Sequence, residues 1–258
     1  MSLFTQKTGV GPKVVLLHGW GFNGAVWHPL IEKLKHEYEF SAIDLPGFGK
    51  SAEMACEYTP SSLADCIADV IEEGSIVIGW SMGGIIAQQL AVAYPEKVHK
   101  LILLACNAQF VANEQWPHGV KPIVLQSFSE SLVEDYKVTL HRFLMLQARG
   151  GENMKETVRE MKHRLFEHGE PDKKALLAGL QLLNETNFLD NLSKIQQQTL
   201  IMQGRLDALV PASSGVAMLD MLSSGERYLF DRAAHAPFIS HVDEFADVLR
   251  AFTKSSQS

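Results

Sequence analysis

The chain has 258 residues, of which 46% are hydrophobic and 21% are charged, and its formal net charge is −7. This length and composition suit one globular domain with room for an inserted subdomain. The acidic balance argues against a general nucleic-acid-binding protein, because such a protein needs a basic surface. No apolar run approaches the roughly 20 residues that cross a bilayer, and the N-terminus lacks the basic-then-apolar order of a signal peptide. We therefore expect a cytoplasmic protein with no membrane association.

The three cysteines, Cys56, Cys66 and Cys106, are odd in number and lack the spacing of metal ligands. They are typical of reduced thiols in a cytosolic compartment. No pair of histidines has the H-E-x-x-H spacing of a zinc site. We therefore expect neither a metal nor a cofactor.

Short apolar runs alternate with segments of helical spacing through the first 110 residues. The predicted strands lie at 14–17, 39–43, 76–80 and 98–104, and the predicted helices at 26–34, 61–72 and from the residue after Ser81 to about 94. A serine is expected to cap the second of these helices. Alternating strands and helices predict an α/β fold with a mostly parallel sheet and helices on both faces.

The pattern changes near Gln109. From there to about Leu192 only helical periodicity is found, in amphipathic segments at 123–146, 153–166 and 173–183. Strands resume at 199–203 and 227–230, and a helix at 243–252 closes the chain. We expect an α/β core formed by 1–110 and 193–258, with an all-helical cap at 111–192 over the mouth of a site.

Ser81 stands between a buried-strand pattern and a helical pattern, in Gly79-Trp80-Ser81-Met82-Gly83. A strand, a tight turn and a helix are the context that the nucleophilic serine of a G-x-S-x-G motif requires. The alternative is a glycine-rich turn with an incidental serine.

A serine needs a base and a third group that orients the base. Asp207 and His235 each follow a predicted strand, and the order Ser81, Asp207, His235 is that of the α/β-hydrolases. Other candidates for these roles fit less well: Asp190 precedes its strand, Asp231 has no loop to reach back, and His241 begins a helix.

In α/β-hydrolases, the loop after an early strand and the residue after the nucleophile donate the two amides of the oxyanion hole. In His18-Gly19-Trp20-Gly21, the loop amide would be that of Trp20, and the second would be that of Met82. The alternative is a strand-ending turn with a hydrogen-bonded histidine.

Five segments carry a family resemblance: 16–21, 44–51, 79–84, 143–147 and 233–241. Together they resemble the pimeloyl-[acyl-carrier protein] methyl ester esterases of biotin synthesis, and the resemblance covers nearly the full chain. It implies a serine esterase that converts the methyl ester on a carrier protein to the free acid and methanol, with no cofactor. The substrate-binding residues that it implies are Trp20, Ser81, Met82, Phe143, Leu144, Met145, Leu146, Gln147 and His235.

The cap carries a local excess of positive charge. Between Arg142 and Arg164 six Lys/Arg stand against three Glu, a net of +3 in an acidic protein. Lys155, Arg159 and Lys162 share one helical face. With Arg142 they could receive an acidic carrier protein, as the family resemblance implies, although Val138 stands where the family has a further arginine. The alternative is a solvated helix with Glu152–Lys155 and Glu156–Arg159 pairs.

Two other functions remain open at this stage. One is a different small-molecule hydrolase of the same fold, acting on a C–C bond, a lactone or a short-chain ester. The other is a non-catalytic binding protein on a hydrolase scaffold. Dehalogenase chemistry is disfavoured, because that branch uses an aspartate where Ser81 stands. We expect a monomer that accepts small esters as well as the carrier-bound one.

Overall fold

The computed structural model describes residues 3–255. Among these residues a sheet of seven strands forms the centre of the fold. The strands β1–β7 are Thr5–Gly9, Lys13–Leu17, Glu39–Ile43, Ser75–Trp80, Val98–Leu104, Gln198–Gly204 and Gly225–Phe230. Their spatial order is β1-β3-β2-β4-β5-β6-β7. β1 is antiparallel to β3, and every other neighbouring pair is parallel, which confirms the predicted mostly parallel sheet.

Ten α-helices surround the sheet within the same residues. The helices α1–α10 are His28–Leu34, Pro60–Ala68, Met82–Ala93, Pro122–Glu134, Tyr136–Ala148, Met154–Arg164, Lys173–Glu185, Ala212–Leu219, Pro237–Ser240 and Val242–Lys254. α2 packs on α3, and α1 packs on α10.

The central strands are covered on both faces. All six residues of β4 are buried, and successive residues of a strand point to opposite faces of the sheet. A strand buried in this way needs an apolar layer on each side, which explains its continuous apolar sequence. The edge strands β1 and β7 are mostly exposed or half-buried instead.

The apolar runs located the buried strands well, and β3 and β5 have the predicted bounds. β1 was not predicted, because Thr5–Gly9 is polar and forms an edge. The helix predicted at 26–34 is divided into a 3₁₀ turn, Gly24–Trp27, and α1. The predicted serine cap of α2 is wrong: the side chain of Thr59 accepts the amide of Ser62 at 3.2 Å.

Four helices, α4–α7, lie between β5 and β6, and we call them the helical insertion. The amphipathic segment predicted at 123–146 is helical but forms two helices, since α4 ends at Glu134 and α5 begins at Tyr136. Asp135 separates them, because its carboxylate accepts the amides of Lys137 at 3.0 Å and Val138 at 3.1 Å, which starts a new helix. The division into a core and a cap at 111 and 192 remains a prediction.

Candidate active site

Ser81 lies on a strained turn between β4 and α3. Its backbone has φ 55° and ψ −117°, a conformation that an L-residue rarely adopts. The turn is tight enough that a Cβ on Gly79 would collide with the backbone of Gly83 and Gly84, and one on Gly83 would collide with the carbonyl of Leu17. This strand-turn-helix geometry is the context in which a serine hydroxyl stands at the carboxyl end of a parallel sheet.

Asp207 and His235 are hydrogen-bonded in the buried interior. Nδ1 of His235 lies 2.7 Å from Oδ2 of Asp207, and neither side chain is more than 1% exposed. The other carboxylate oxygen of Asp207 accepts the amides of Leu209 at 2.8 Å and Val210 at 2.9 Å. Since an ionised carboxylate only accepts, the proton of a neutral His235 sits on Nδ1, which leaves Nε2 free to act as a base.

His235 lies beside the turn that carries Ser81. The indole of Trp80 donates to the carbonyl of His235 at 2.9 Å, and their rings are 5.7 Å apart. Within residues 3–255 Nε2 of His235 is buried and has no hydrogen-bond partner, so it is not hydrogen-bonded to the Ser81 hydroxyl. Such hydrogen bonds are often long before substrate binds. The structure thus pairs Asp207 with His235 but does not form the second hydrogen bond of the predicted triad, between His235 and Ser81.

His18 fixes the loop that follows β2. The amide of Leu45 donates to Nε2 of His18 at 3.0 Å, so the proton of the ring sits on Nδ1, 2.9 Å from the carbonyl of Gly19. Burial lowers the pKa of His18 to about 4, which keeps the ring neutral at pH 7. His18 is thus hydrogen-bonded, as the alternative interpretation expected, and one of its two contacts is to the loop itself; the oxyanion role of Trp20 stays a prediction.

The Trp20 and Met82 amides are available as donors. Among the described residues neither amide has a backbone or side-chain acceptor. A Cβ on Gly19 would lie 3.3 Å from Cβ of Ser81, so the loop runs directly against the serine. The indole of Trp20 donates to the carbonyl of Leu176 at 2.8 Å, which ties this loop to the helical insertion.

The segment 143–147 of α5 divides into buried and exposed residues. Phe143 packs edge-on against Trp20 with ring centroids 4.8 Å apart, and the backbone carbonyl of Gln147 accepts the amide of His235 at 3.0 Å. Leu144 is buried and Leu146 half-buried, whereas Met145 is 46% exposed. Both polar side-chain atoms of Gln147 are buried without a partner in the described part of the chain. The insertion therefore closes over Ser81 and His235, which are 3% and 1% exposed.

The rival residues are placed elsewhere. Asp231 forms an exposed pair with Arg205 at 2.6 Å, and Asp190 lies in a 3₁₀ helix before β6. His241 precedes α10, where its Nδ1 meets the hydroxyl of Ser240 at 2.8 Å. None of the three contacts Ser81 or His235.

No group of three or more His, Cys, Asp or Glu side chains within 3–255 is arranged to hold a metal ion. No helix in that range has the length and apolar character needed to cross a membrane.

The sequence of the chain matches a known protein family. A model described as the alpha/beta hydrolase family matches residues 14–248. A pimeloyl-[acyl-carrier protein] methyl ester esterase of Aeromonas hydrophila is 41% identical over 98% of this chain and 99% of its own. The enzyme of that name from Aliivibrio salmonicida is 39% identical, over 97% and 95%. The chain belongs to the pimeloyl-[acyl-carrier protein] methyl ester esterase family.

Solved structures confirm the α/β-hydrolase fold of this esterase family member. A bromoperoxidase from Bacillus anthracis superposes with a TM-score of 0.91 at 22% identity, covering 98% of this chain and 95% of that one. An esterase from Exiguobacterium antarcticum gives 0.88 at 24% identity, over 98% and 96%. At these identities the likeness concerns the fold alone.

The basic residues of this esterase's insertion are exposed. Arg142 lies on α5, and Lys155, Arg159 and Lys162 lie on α6. Neither the Glu152–Lys155 pair nor the Glu156–Arg159 pair expected for a solvated helix forms among the residues described, although Glu160 pairs with Arg164 at 2.8 Å. Glu152 instead binds Arg232 of the core at 2.9 Å. Lys155 and Arg159 therefore have no ion-pair partner within residues 3–255.

Sequence reasoning missed Asp44 and His168. The buried carboxylate of Asp44, after β3, accepts the amides of Gly24 at 2.6 Å and Lys50 at 2.8 Å and meets Nδ1 of His168 at 2.9 Å. Asp44 thus links the loop after β2 to the insertion. The position of Asp44 directly after a predicted strand was an available signal, but nothing in the sequence pointed to His168.

Proposed function

We propose that this chain is a serine carboxylesterase that hydrolyses the methyl ester of pimeloyl-[acyl-carrier protein] to the free acid and methanol in biotin biosynthesis. The observation that carries the proposal is the 41% identity over 98% of the chain with an enzyme of that name. A Ser-His-Asp arrangement alone would not select this substrate, because it occurs across the whole fold.

Ser81, His235 and Asp207 are the proposed catalytic residues. Nε2 of His235 takes the proton of the Ser81 hydroxyl, whose oxygen attacks the ester carbonyl. The 2.7 Å hydrogen bond from Nδ1 to Asp207 holds the ring in the required tautomer and stabilises the imidazolium that forms.

The amides of Trp20 and Met82 are the proposed donors to the oxyanion. They are suited to this role because the Trp20 loop lies against Ser81 and both amides lack another acceptor among the described residues. His235 then protonates the departing methoxide, and water releases the acid from the acyl-enzyme by the same relay.

We assign the helical insertion the role of a cap that shapes the acyl site. Its apolar lining comes from Phe143 and Leu144, with Phe128 edge-on to Phe143 at 5.3 Å. Because Ser81 and His235 are sealed in this structure, entry of a carrier-bound chain requires the insertion to move.

The unpaired cations Arg142, Lys155, Arg159 and Lys162 are the proposed landing surface for an acidic carrier protein. Opposite charge on the two surfaces would steer the encounter, and the effect would weaken as salt rises. We place the reaction in the cytoplasm and expect a monomeric enzyme.

The test compares one acyl group in two settings. Purified enzyme is given methyl pimeloyl-carrier or free dimethyl pimelate, and methanol and free acid are measured, with Ser81→Ala as the control. We expect kcat/KM to be at least tenfold higher for the carrier-bound ester, and Ser81→Ala to hydrolyse neither. Equal values would remove carrier recognition, and faster turnover of a lactone or a diketone would favour the other small-molecule hydrolase.

A further inference from the structure

Two cysteines meet on the surface away from Ser81. Sγ of Cys56 lies 3.4 Å from Sγ of Cys66. Cys66 belongs to α2, whereas Cys56 belongs to the irregular segment that precedes it. Both side chains are partly exposed, so a small oxidant can reach them.

The third cysteine offers an internal contrast. Cys106 is fully buried, and its sulfur is contacted at 3.2 Å by the side-chain amide of Gln88. Burial raises the pKa of its thiol to about 12. Of the three thiols, therefore, only the Cys56–Cys66 pair combines access with a neighbouring sulfur.

A covalent link between Cys56 and Cys66 would restrain a segment that lines two grooves of the molecule. The segment 52–59 lines two adjoining grooves of about 420 and 600 Å³ along α7, and Tyr58 borders both. The ring of Tyr58 packs against Phe48 at 6.3 Å, and Phe48 packs against His18 at 5.4 Å. A chain of ring contacts thus connects the thiol pair with the histidine that holds the Trp20 loop.

We propose that Cys56 and Cys66 are a reversible dithiol/disulfide site that tethers the segment 52–59 to α2 when it is oxidised by a peroxide. A disulfide has an S–S distance of about 2.05 Å, so the sulfurs need to approach by little more than 1 Å, which a side-chain rotation and a small shift of an irregular segment supply.

The chemistry balances with hydrogen peroxide as oxidant. One thiol loses its proton and the thiolate attacks the peroxide, giving a sulfenic acid and hydroxide, which takes up that proton to become water. The second thiol then attacks the sulfenic sulfur, and the S–S bond forms as its proton and the sulfenic hydroxyl leave as a second water. The two sulfurs together lose two electrons, which reduce the peroxide. A dithiol reductant reverses the reaction by exchange.

The environment of Cys56 governs the reactivity of its own thiol. Burial and the hydrogen bond with Cys66 raise the pKa of the Cys56 thiol to about 12. Since the thiolate is the reactive form, attack by Cys56 on a peroxide is slow at pH 7 and quickens as the pH rises. A poorly stabilised thiolate also favours the disulfide once it has formed, because the reduced state gains little from ionisation.

The test counts thiols in the full chain before and after treatment with hydrogen peroxide at pH 8. We expect the wild type to fall from three free thiols to one, to lose about 2 Da in mass, and to recover both with dithiothreitol. Peptide mapping after alkylation should find Cys106 as the thiol that remains. The matched variants Cys56→Ser and Cys66→Ser should show no loss of 2 Da.

A second measurement reports on the tether itself. Closing a loop of about ten residues should raise Tm of the oxidised wild type by about 5 °C, and neither serine variant should show this rise. Retention of three thiols, a gain of about 16 or 32 Da in place of the loss, or a disulfide that includes Cys106 would each overturn the proposal.

Discussion

The imidazole of His18 donates a hydrogen bond to the carbonyl of Gly19 at 2.9 Å. That carbonyl and the amide of Trp20 belong to one planar trans peptide, in which they point in opposite directions. Holding the carbonyl therefore sets the direction of the amide. Because the Leu45 amide occupies Nε2 of the same ring, the tautomer of His18 that makes this contact is fixed as well.

Replacement of His18 should lower kcat more than it changes KM, because the oxyanion forms only during reaction. His18→Asn keeps a donor near the position of Nδ1, whereas His18→Gln moves its amide towards Nε2. Loss of a whole oxyanion donor costs roughly 10²–10³ in turnover, so we expect a loss of about 10- to 100-fold for Gln and less for Asn. Kinetics on a p-nitrophenyl ester measure this difference, and a folded Gln variant with normal kcat would contradict it.

The strained backbone at position 81 should lower the stability of the protein, and a glycine at this position should relieve that strain. At φ 55° and ψ −117° an L-residue is strained by roughly 1–3 kcal/mol, and glycine is not. Both Ser81→Ala and Ser81→Gly should be inactive. The free energy of unfolding of the glycine variant should nevertheless be about 1 kcal/mol higher than that of the alanine variant. This is the strain relieved minus the larger conformational entropy that glycine loses on folding.

Ser61, an exposed residue of α2, is the control for this comparison. There alanine should be the more stable replacement by about 1 kcal/mol, since the backbone is helical. Chemical denaturation measures all four variants. The same order at positions 61 and 81 would show that the turn at Ser81 is unstrained.

Asp44 should make stability depend on acid pH. Burial opposes its ionisation, but hydrogen bonds from His168, Gly24 and Lys50 outweigh burial and lower its pKa overall. A carboxyl whose pKa is lower in the folded state stabilises it above the unfolded pKa of about 3.9, and this is lost as pH falls through the folded value.

We therefore expect Asp44→Asn to have a lower free energy of unfolding than the wild type at pH 7. This difference in free energy, the stability gap, should narrow as the pH falls from about 5 to 3. Urea denaturation across this range measures the gap. Asp69→Asn, at an exposed position, is the control and should show no such trend. A gap that stays constant with pH would mean that the effect of Asn is steric.

Charge reversal on α6 should weaken the reaction with carrier-bound ester only. The double variant Lys155→Glu/Arg159→Glu should lower kcat/KM for methyl pimeloyl-carrier by about tenfold or more at low salt, and the loss should shrink as salt rises. Hydrolysis of a p-nitrophenyl ester should not change. Lys194→Glu, at an exposed position near Asn191, is the control. An equal loss of kcat/KM on both substrates would show that the substitutions disturb the fold and not the binding of the carrier.

The sequence predicted the parts of the fold that are buried. β3 and β5 have the predicted bounds, because their buried residues form an apolar pattern: Phe40, Ala42 and Ile43 in β3, and the run 101–104 in β5. β1 was not predicted, because a strand at the edge of a sheet does not need an apolar pattern. The break between α4 and α5 at Asp135 was not predicted, because the sequences of both helices have helical periodicity. The break is marked only by the carboxylate of Asp135, which caps the start of α5.

The residues of the site also divide into those that the sequence predicted and those that it did not. Ser81, Asp207 and His235 could be proposed because each follows a strand, and parallel strands bring their carboxyl ends to one edge. The contact of Asp44 with His168 spans 124 residues and depends on how the insertion docks on the core. The hydrophobic pattern of a sequence does not predict such a contact between two polar side chains.

Ser81 is the proposed nucleophile, and His235 is the base proposed to activate it. Treating the enzyme with a fluorophosphonate and mapping the modified peptide by mass spectrometry tests both roles at once. We predict a single phosphonyl adduct on Ser81 of the wild type, with labelling slowed by a factor on the order of 10³ or more in His235→Ala. An adduct on another residue, or labelling of Ser81 at an unchanged rate without His235, would contradict the claim.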